Sequence, residues 1–311
     1  IEMALKPHFL SLIRPTDDPL IPWPTLFISL PILGFYFMCT NQHMVQRVLG
    51  ARSVDHGRKG AIFAALLKLP LLFILVLPGT MAQLIYPNLD NPNLVFPELM
   101  FDFLPAGILG IVLTGFIAAL MSSIDSALTA SSSIATIDIY KRMRPKSTQK
   151  HLVKTGRIFI LVVVFIASLW APFIDHFPTL WEYLQAALSY LSPPVVSCFL
   201  FGLFWKRASA GAAFSTLWMG SLAGLLLIIN NYFHSLIEPI HYLYSATIIF
   251  IISSTVMVIG SLLYPDDSFI KSREGWDKGM LRNESTHWYS SYQFFALIVF
   301  LCCAAVVITF W

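Results

Sequence analysis

Charge is scarce in this chain. Asp, Glu, Lys and Arg make up 12% of 311 residues, 57% are hydrophobic, and the mean hydropathy is +0.71. No soluble domain of this length needs that much apolar surface, so a soluble fold is excluded. Cysteine is scarce too. Cys39, Cys198, Cys302 and Cys303 all lie in apolar runs without metal-type spacing, and read as small buried hydrophobes. Signal-peptide features are lacking in the first residues, IEMALKPHF, which have neither a basic start nor an apolar core. The chain starts at Ile1, and an N-terminal part is expected to be missing.

What is present is a series of apolar runs, each long enough to cross a bilayer. Eight candidate spans follow, at residues 24–40, 61–85, 104–140, 155–173, 178–204, 211–232, 242–264 and 291–311. The runs are too long and continuous for barrel strands, so the fold class is an all-α polytopic membrane protein. Lys and Arg fall in alternate loops: 41–60 (Arg47, Arg52, Arg58, Lys59), 141–157 (seven, from Lys141 to Arg157), 205–210 (Lys206, Arg207) and 265–290 (Lys271, Arg273, Lys278, Arg282). The loops at 86–103, 174–177 and 233–241 hold none. By the positive-inside rule the basic loops are cytoplasmic, and residues 1–23 and Trp311 face outward. The run at 141–157 is thereby explained as a solvated cytoplasmic loop, and nucleic acid is not expected as a partner. The Asn283-Glu284-Ser285 sequon falls inside the cell and is discounted. The outer loop near 86–105, rich in Pro and Asn with Asp90, Glu98 and Asp102, reads as a solvated connector, with a cap over an entry path as the alternative.

Polar groups inside the spans carry the functional reading, because charge within lipid is expensive. In the third span, Ser122, Ser126, Thr129 and Ser133 recur at i, i+4, i+7 and i+11, one hydroxyl stripe on a helix. Such a stripe suits a hard monovalent cation or the packing of another helix. Asp125 lies too deep in the same span to snorkel, and reads as a helix-gluing carboxyl, a cation ligand or a proton carrier. Lys68 faces a wet cavity or snorkels toward the cytoplasmic end. In the fifth span, Gln185 precedes Ser192-Pro193-Pro194, where two missing donors predict a break that frees carbonyls. Gly34 is another candidate break, and breaks near the midplane point to a transporter's binding site.

These residues resemble the sodium/solute symporters, in the branch of the sodium–glucose cotransporters. Met121-Ser122-Ser123 followed by Thr136-Ile137-Asp138-Ile139-Tyr140-Lys141 looks like the family's sodium-site helix and its cytoplasmic end. Asn41-Gln42, Val45-Gln46-Arg47, Leu67-Lys68-Leu69, Tyr183-Leu184-Gln185, Ser189 to Pro194 and Leu203 to Arg207 resemble its other core segments. The resemblance implies a leucine-transporter-type inverted-repeat fold. Residues 24–204 would be the second five-helix repeat, 205–311 three peripheral helices with a cytoplasmic loop at 265–290, and 1–23 an extracellular loop. The first repeat would be absent, its helices the missing partners of this chain.

Carried over residue by residue, the resemblance implies a sodium site at Ala119 (carbonyl), Ser122 and Ser123, and a candidate second sodium site at Asp125 and Ser126. Solute contacts fall on Phe37, Lys68 and Gln185. Asp125 departs from the glucose carriers, which have a hydroxyl there, and looks like an inositol-carrying branch. Met38 replaces a common Trp, and Gly34 an Asn of a sugar-binding member. The implied function is a sodium-coupled symporter importing a sugar, inositol or similar polyol by alternating access, with Na⁺ as its ion, in a cell membrane (the inner membrane if bacterial). It would not be an enzyme. The alternatives are a proton- or sodium-coupled carrier of another small solute, such as a monocarboxylate, and a transporter-like membrane sensor domain.

Overall fold

A computed structural model describes residues 13–89, 91–232, 237–265 and 288–309. The basic loop at 266–287 with its sequon, the first twelve residues, Asp90 and Trp311 lie outside the described residues. Among these residues every regular element is helical, and eight helical stretches are long and apolar enough to cross a membrane. They are Trp23–Thr40, Val54–Ile85, Ala106–Met143, Gln149–Ile174, Leu180–Phe204, Ala210–Tyr232, Tyr242–Leu263 and Tyr292–Thr309, matching the eight expected runs in order. Two begin earlier than their apolar runs. The helix that begins at Val54 starts five residues after Leu49, the end of a short helix, and Asp55–Lys59, an i,i+4 ion pair at 2.6 Å, helps carry it out of the apolar region. Gln149 starts where the Thr148 side chain accepts from the His151 N–H.

In chain order the α-helices are α1 (Ser29–Phe35), α2 (Gln42–Leu49), α3 (Val54–Leu71), α4 (Leu77–Ile85), α5 (Val95–Phe103), α6 (Ala106–Ser133), α7 (Lys141–Met143), α8 (Gln149–Trp170), α9 (Leu180–Phe204), α10 (Ala210–Tyr232), α11 (Tyr242–Leu263) and α12 (Tyr292–Thr309). Three wider, π-helical turns interrupt the spans: Tyr36–Thr40 after α1, Leu72–Val76 after α3, and Ile134–Tyr140 after α6. The second follows Pro70, which cannot donate to the Leu66 carbonyl and crowds it. In the first, the Asn41 N–H reaches back five residues to the Tyr36 carbonyl at 3.0 Å. The third span, with its π turn and α7, is one helical stretch of 38 residues. At 1.5 Å per residue that is about 57 Å, well beyond an ~30 Å hydrocarbon core.

Two compact units are present: residues 1–72 with 181–311, and residues 73–180. The first unit is organised by α9, α10 and α11. Ala212, Thr216, Gly220 and Gly224 recur every four residues and form the buried face of α10. Opposite them on α11 stand Gly260, Met257, Ser253 and Ile249, so the two helices run antiparallel in a regular register. Glycine is required at two of these positions. A Cβ on Gly220 would meet Ser253 Oγ at 2.4 Å and Pro194 Cγ at 2.6 Å, and one on Gly224 would meet the Tyr190 carbonyl oxygen at 2.7 Å. Small residues let backbones approach where lipid supplies no hydrophobic drive.

One end of this unit is closed by side-chain-to-backbone bonds. Asn230 exchanges hydrogen bonds with both the N–H and the carbonyl of Ile237, and Asn231 does the same with Ile240. Asn231 also donates to the Tyr190 hydroxyl at 2.9 Å. α1 docks on α11 through Ser29, which donates to the Leu243 carbonyl (2.6 Å) and pairs with Thr247 (2.7 Å). The strand of chain leading into α1 is held by Tyr242 on the Leu20 carbonyl, Tyr244 on the Thr16 carbonyl and His241 on the Pro19 carbonyl. α12 packs on α3, with Arg58 4.8 Å above the Tyr292 ring.

In the second unit, α6 packs on α8. Ser132 donates to the Gly156 carbonyl (2.9 Å), and Thr136 crowds the same glycine. The outer loop is folded rather than a plain connector. It carries α5, and Tyr86 donates to the Asp102 carboxylate. That bond, then partial burial and the nearby carboxylates, push the Tyr86 phenol up to about 12.

Candidate functional site

α6 presents the expected sodium residues. Ala119, Ser122 and Ser123 stand at i, i+3 and i+4, so a backbone carbonyl and two hydroxyls share one side of the helix. α6 is unbroken here, so the Ala119 carbonyl keeps one lone pair in the helical ladder and has one to offer a cation. Ser122, Ser123 and Asp125 are exposed, and their side chains make no hydrogen bond or ion pair among the described residues. Ser126 is half-buried and donates back to the Ser122 carbonyl at 2.8 Å. Among the described residues the bonds that join α6 to α8 lie elsewhere on the helix. Its contact with α8 runs through Ser132 and Thr136 on a neighbouring face. The set offers a carbonyl and two hydroxyls, oxygen ligands of the kind a hard ion such as Na⁺ takes. It supplies only part of a shell, and no group of three or more His, Cys, Asp or Glu that could hold a transition metal occurs among the described residues.

Phe37, Lys68 and Gln185 belong to the other unit. Phe37 lies in the π turn Tyr36–Thr40, half-buried. Lys68 sits two residues before Pro70, and its Nζ lies 5.7 Å from the centre of the Phe37 ring. Two of the three expected solute contacts are thus neighbours. Gln185 is half-buried on α9.

The expected break at the proline pair does not occur. α9 runs unbroken from Leu180 to Phe204 with Pro193 and Pro194 inside it, both fully buried. The prolines still leave the Ser189 and Tyr190 carbonyls without helical donors. Tight packing of α10 on this stretch holds the helix together where a lipid-exposed one would kink. Gly34 likewise introduces no break; the irregularity comes just after it, as the Tyr36–Thr40 π turn. Each π turn lies beside a candidate site: one contains Phe37, one follows Lys68, and one ends the sodium-site helix. Single-turn π segments of this kind concentrate at functional sites. Only Pro70 signalled one of them in the sequence.

A model of the sodium:solute symporter family matches residues 2–220. The chain belongs to this family. Among curated relatives it is 33% identical over 280 residues to sodium/myo-inositol cotransporter 2 of Oryctolagus cuniculus, covering 79% of this chain and 42% of that protein. It is 34% identical over 276 residues to sodium/myo-inositol cotransporter 2 of Homo sapiens (78% and 40%). It is 32% identical over 279 residues to sodium/glucose cotransporter 1 of Sus scrofa (79% and 42%). The chain therefore spans about two-fifths of the length of these relatives. That family is one of membrane transporters rather than enzymes, and the eight apolar helical stretches of this chain accord with membership.

The burial pattern accords with that partial span. In the spans at 54–85, 106–143, 149–174 and 292–309 none of the most apolar window is buried within the chain, against 39% at 180–204. The span that carries Ala119, Ser122 and Ser123 is one of them.

Proposed function

We propose that the whole protein is a sodium-coupled secondary active symporter that imports a polyol (inositol, a sugar or a close analogue) by alternating access across a cell membrane. The observation that carries the reading is the pair of membrane-span hydroxyls, Ser122 and Ser123, which are exposed and take no side-chain hydrogen bond among the described residues. Oxygens so placed are costly in lipid unless an ion or another helix uses them. Na⁺ would bind at Ala119, Ser122 and Ser123, with the remaining oxygens coming from helices outside this chain. Asp125 and Ser126 would serve a second cation. The solute would be held by Phe37, Lys68 and Gln185, the ring stacking on its C–H face and the polar groups taking its hydroxyls. The names of the relatives, for myo-inositol and for glucose, support this solute class. The fold would be a leucine-transporter-type inverted repeat, with residues 24–204 as its second repeat and 205–311 peripheral. Sodium would favour the outward-open state because that state completes its shell.

The test is uptake of labelled myo-inositol and glucose by the full-length protein in sodium and in potassium buffer. Sodium-dependent uptake of either supports the reading, and its loss in Ser122→Ala/Ser123→Ala assigns the ion site. Uptake that persists unchanged in the double variant overturns that assignment. A second reading, proton coupling, is favoured by the unpartnered Asp125 carboxylate; uptake driven by an imposed pH gradient without sodium would establish it.

A further inference from the structure

Lys68 lies within a membrane span, yet no carboxylate pairs with it and no hydrogen bond reaches it among the described residues. Its ammonium leans on the Phe37 ring at 5.7 Å. A half-buried aromatic face within a membrane span is, by itself, a receptor for organic cations, because the ring quadrupole attracts positive charge and the ring prefers weakly hydrated ions. Here a tethered cation already takes that position. A second cation over the same ring would sit within a few ångströms of the first, in a medium less screening than water, so the pair repels. A neutral polyol suffers no such repulsion. It can displace the ammonium sideways, stack its C–H face on the ring and accept hydrogen bonds from the displaced Nζ, which offers three donors.

We infer that Lys68 is a charge filter on the Phe37 ring, excluding organic cations from a site whose aromatic wall would otherwise bind them. This rests on the assignment of Phe37 and Lys68 to the solute site. It deepens that assignment by naming a rejected class: quaternary ammonium compounds and the amine analogues of polyols. The filter is a matter of specificity through repulsion rather than through an added attraction. It is local, needing only the π turn that presents Phe37 and the helical turn before Pro70 that presents Lys68.

The experiment is binding of labelled choline to purified full-length protein. The wild type should bind choline too weakly to measure. Lys68→Met should bind it at least tenfold more tightly, Lys68→Arg should exclude it like the wild type, and Lys68→Met/Phe37→Ala should lose the gained binding, which identifies the ring as the receptor. A Lys68→Met protein that melts like the wild type and gains no choline binding overturns the filter, as does wild-type protein that binds choline. Should Lys68→Met fail to fold, the wild type alone decides. An inositol analogue with one hydroxyl replaced by an ammonium should compete at least tenfold more weakly than inositol, and equal competition overturns the proposal. If neither inositol nor glucose binds the wild type, the polyol reading fails, while the choline series still reports on the filter.

Discussion

Gly224 lies against the backbone carbonyl of Tyr190, one of the two carbonyls that the proline pair leaves without a helical donor. One turn earlier, Gly220 lies between Pro194 of α9 and Ser253 of α11. Neither position has room for a methyl group without moving backbone or a proline ring. Gly220→Ala and Gly224→Ala should each destabilise the full-length protein by roughly 1–3 kcal/mol, the cost of overpacking a tight core. Gly211→Ala in the same helix, with nothing within 4 Å of the added carbon, should leave the melting temperature unchanged or raise it slightly. Thermal melts in detergent compare the three. Equal melting of Gly224→Ala and Gly211→Ala would contradict the packing described.

His241 supplies a pH dependence. Its Nδ1 accepts the Leu243 N–H at the start of α11, so the ring proton sits on Nε2 and donates to the Pro19 carbonyl at 3.0 Å. The ring stacks on Tyr242 at 4.2 Å and stands edge-on to Tyr244. Burial lowers its pKa below the ordinary 6.5, although Pro19, Glu182 and Asp18 pull the other way. Protonation would place a hydrogen on Nδ1 and remove the cap. Because the folded value is depressed, the unfolded chain binds the proton more readily, and stability rises with pH. The contribution is complete above about 6.5 and declines as pH falls from there to the folded value. The loss should be roughly 0.5–2 kcal/mol, the range for an N-cap. Melting temperature measured from pH 7.5 downward should drop through this window in the wild type, and drop less in His241→Asn.

Asp125 lies one turn beyond Ser122, on the same stretch of α6, with its carboxylate unpaired among the described residues. If it serves a second cation, Asp125→Ser should keep sodium-dependent solute uptake but convert a sigmoidal sodium-activation curve into a hyperbolic one. An unchanged curve shape would remove Asp125 from the ion site. Uptake in sodium-free buffer under a pH gradient should stay at background in both proteins.

The pairing of Tyr86 with Asp102 ties the end of α4 to the end of α5 in the outer loop. Asp102→Asn should return the Tyr86 phenol from about 12 toward the ordinary 10. Ultraviolet titration, with Tyr86→Phe subtracted to isolate this ring, reads the change. A Tyr86 signal that does not move would mean the two residues do not pair.

Much of the fold could be read from hydropathy and charge, because a bilayer imposes length and polarity on every span. The eight spans emerged in order, and their ends shifted most where Asp55, Lys59 and Thr148 continue a helix into water by local pairing and capping rather than by apolarity. The candidate ion-site residues are visible as oxygens in an apolar run, and whether they meet ions or helices depends on what covers them. The proline pair misled because its effect is decided by neighbours. α10 supports the helix through Gly220 and Gly224, and that support is a tertiary fact. The four-residue spacing of small residues from Ala212 to Gly224 was the available signal for this packing. The helix in the outer loop, α5, was hidden by the Pro and Asn around it. The π turns were hidden because a single extra residue in a helical turn leaves the hydrophobic pattern almost unchanged.

The antiparallel register of α10 and α11 also bears on the order in which the protein is made. The contacts from Ala212–Gly260 to Gly224–Ile249, and the Asn230 and Asn231 bonds that close the turn, all join residues near one another in the chain. Contacts that enclose short loops form early, since little chain entropy is lost in making them. The two helices are therefore built to pair as a hairpin soon after they enter the bilayer. α9, already synthesised and carrying two carbonyls that its prolines leave open, is then received by a glycine face already in place. The segment that is hardest to fold as a lone membrane helix is completed by the one that follows it.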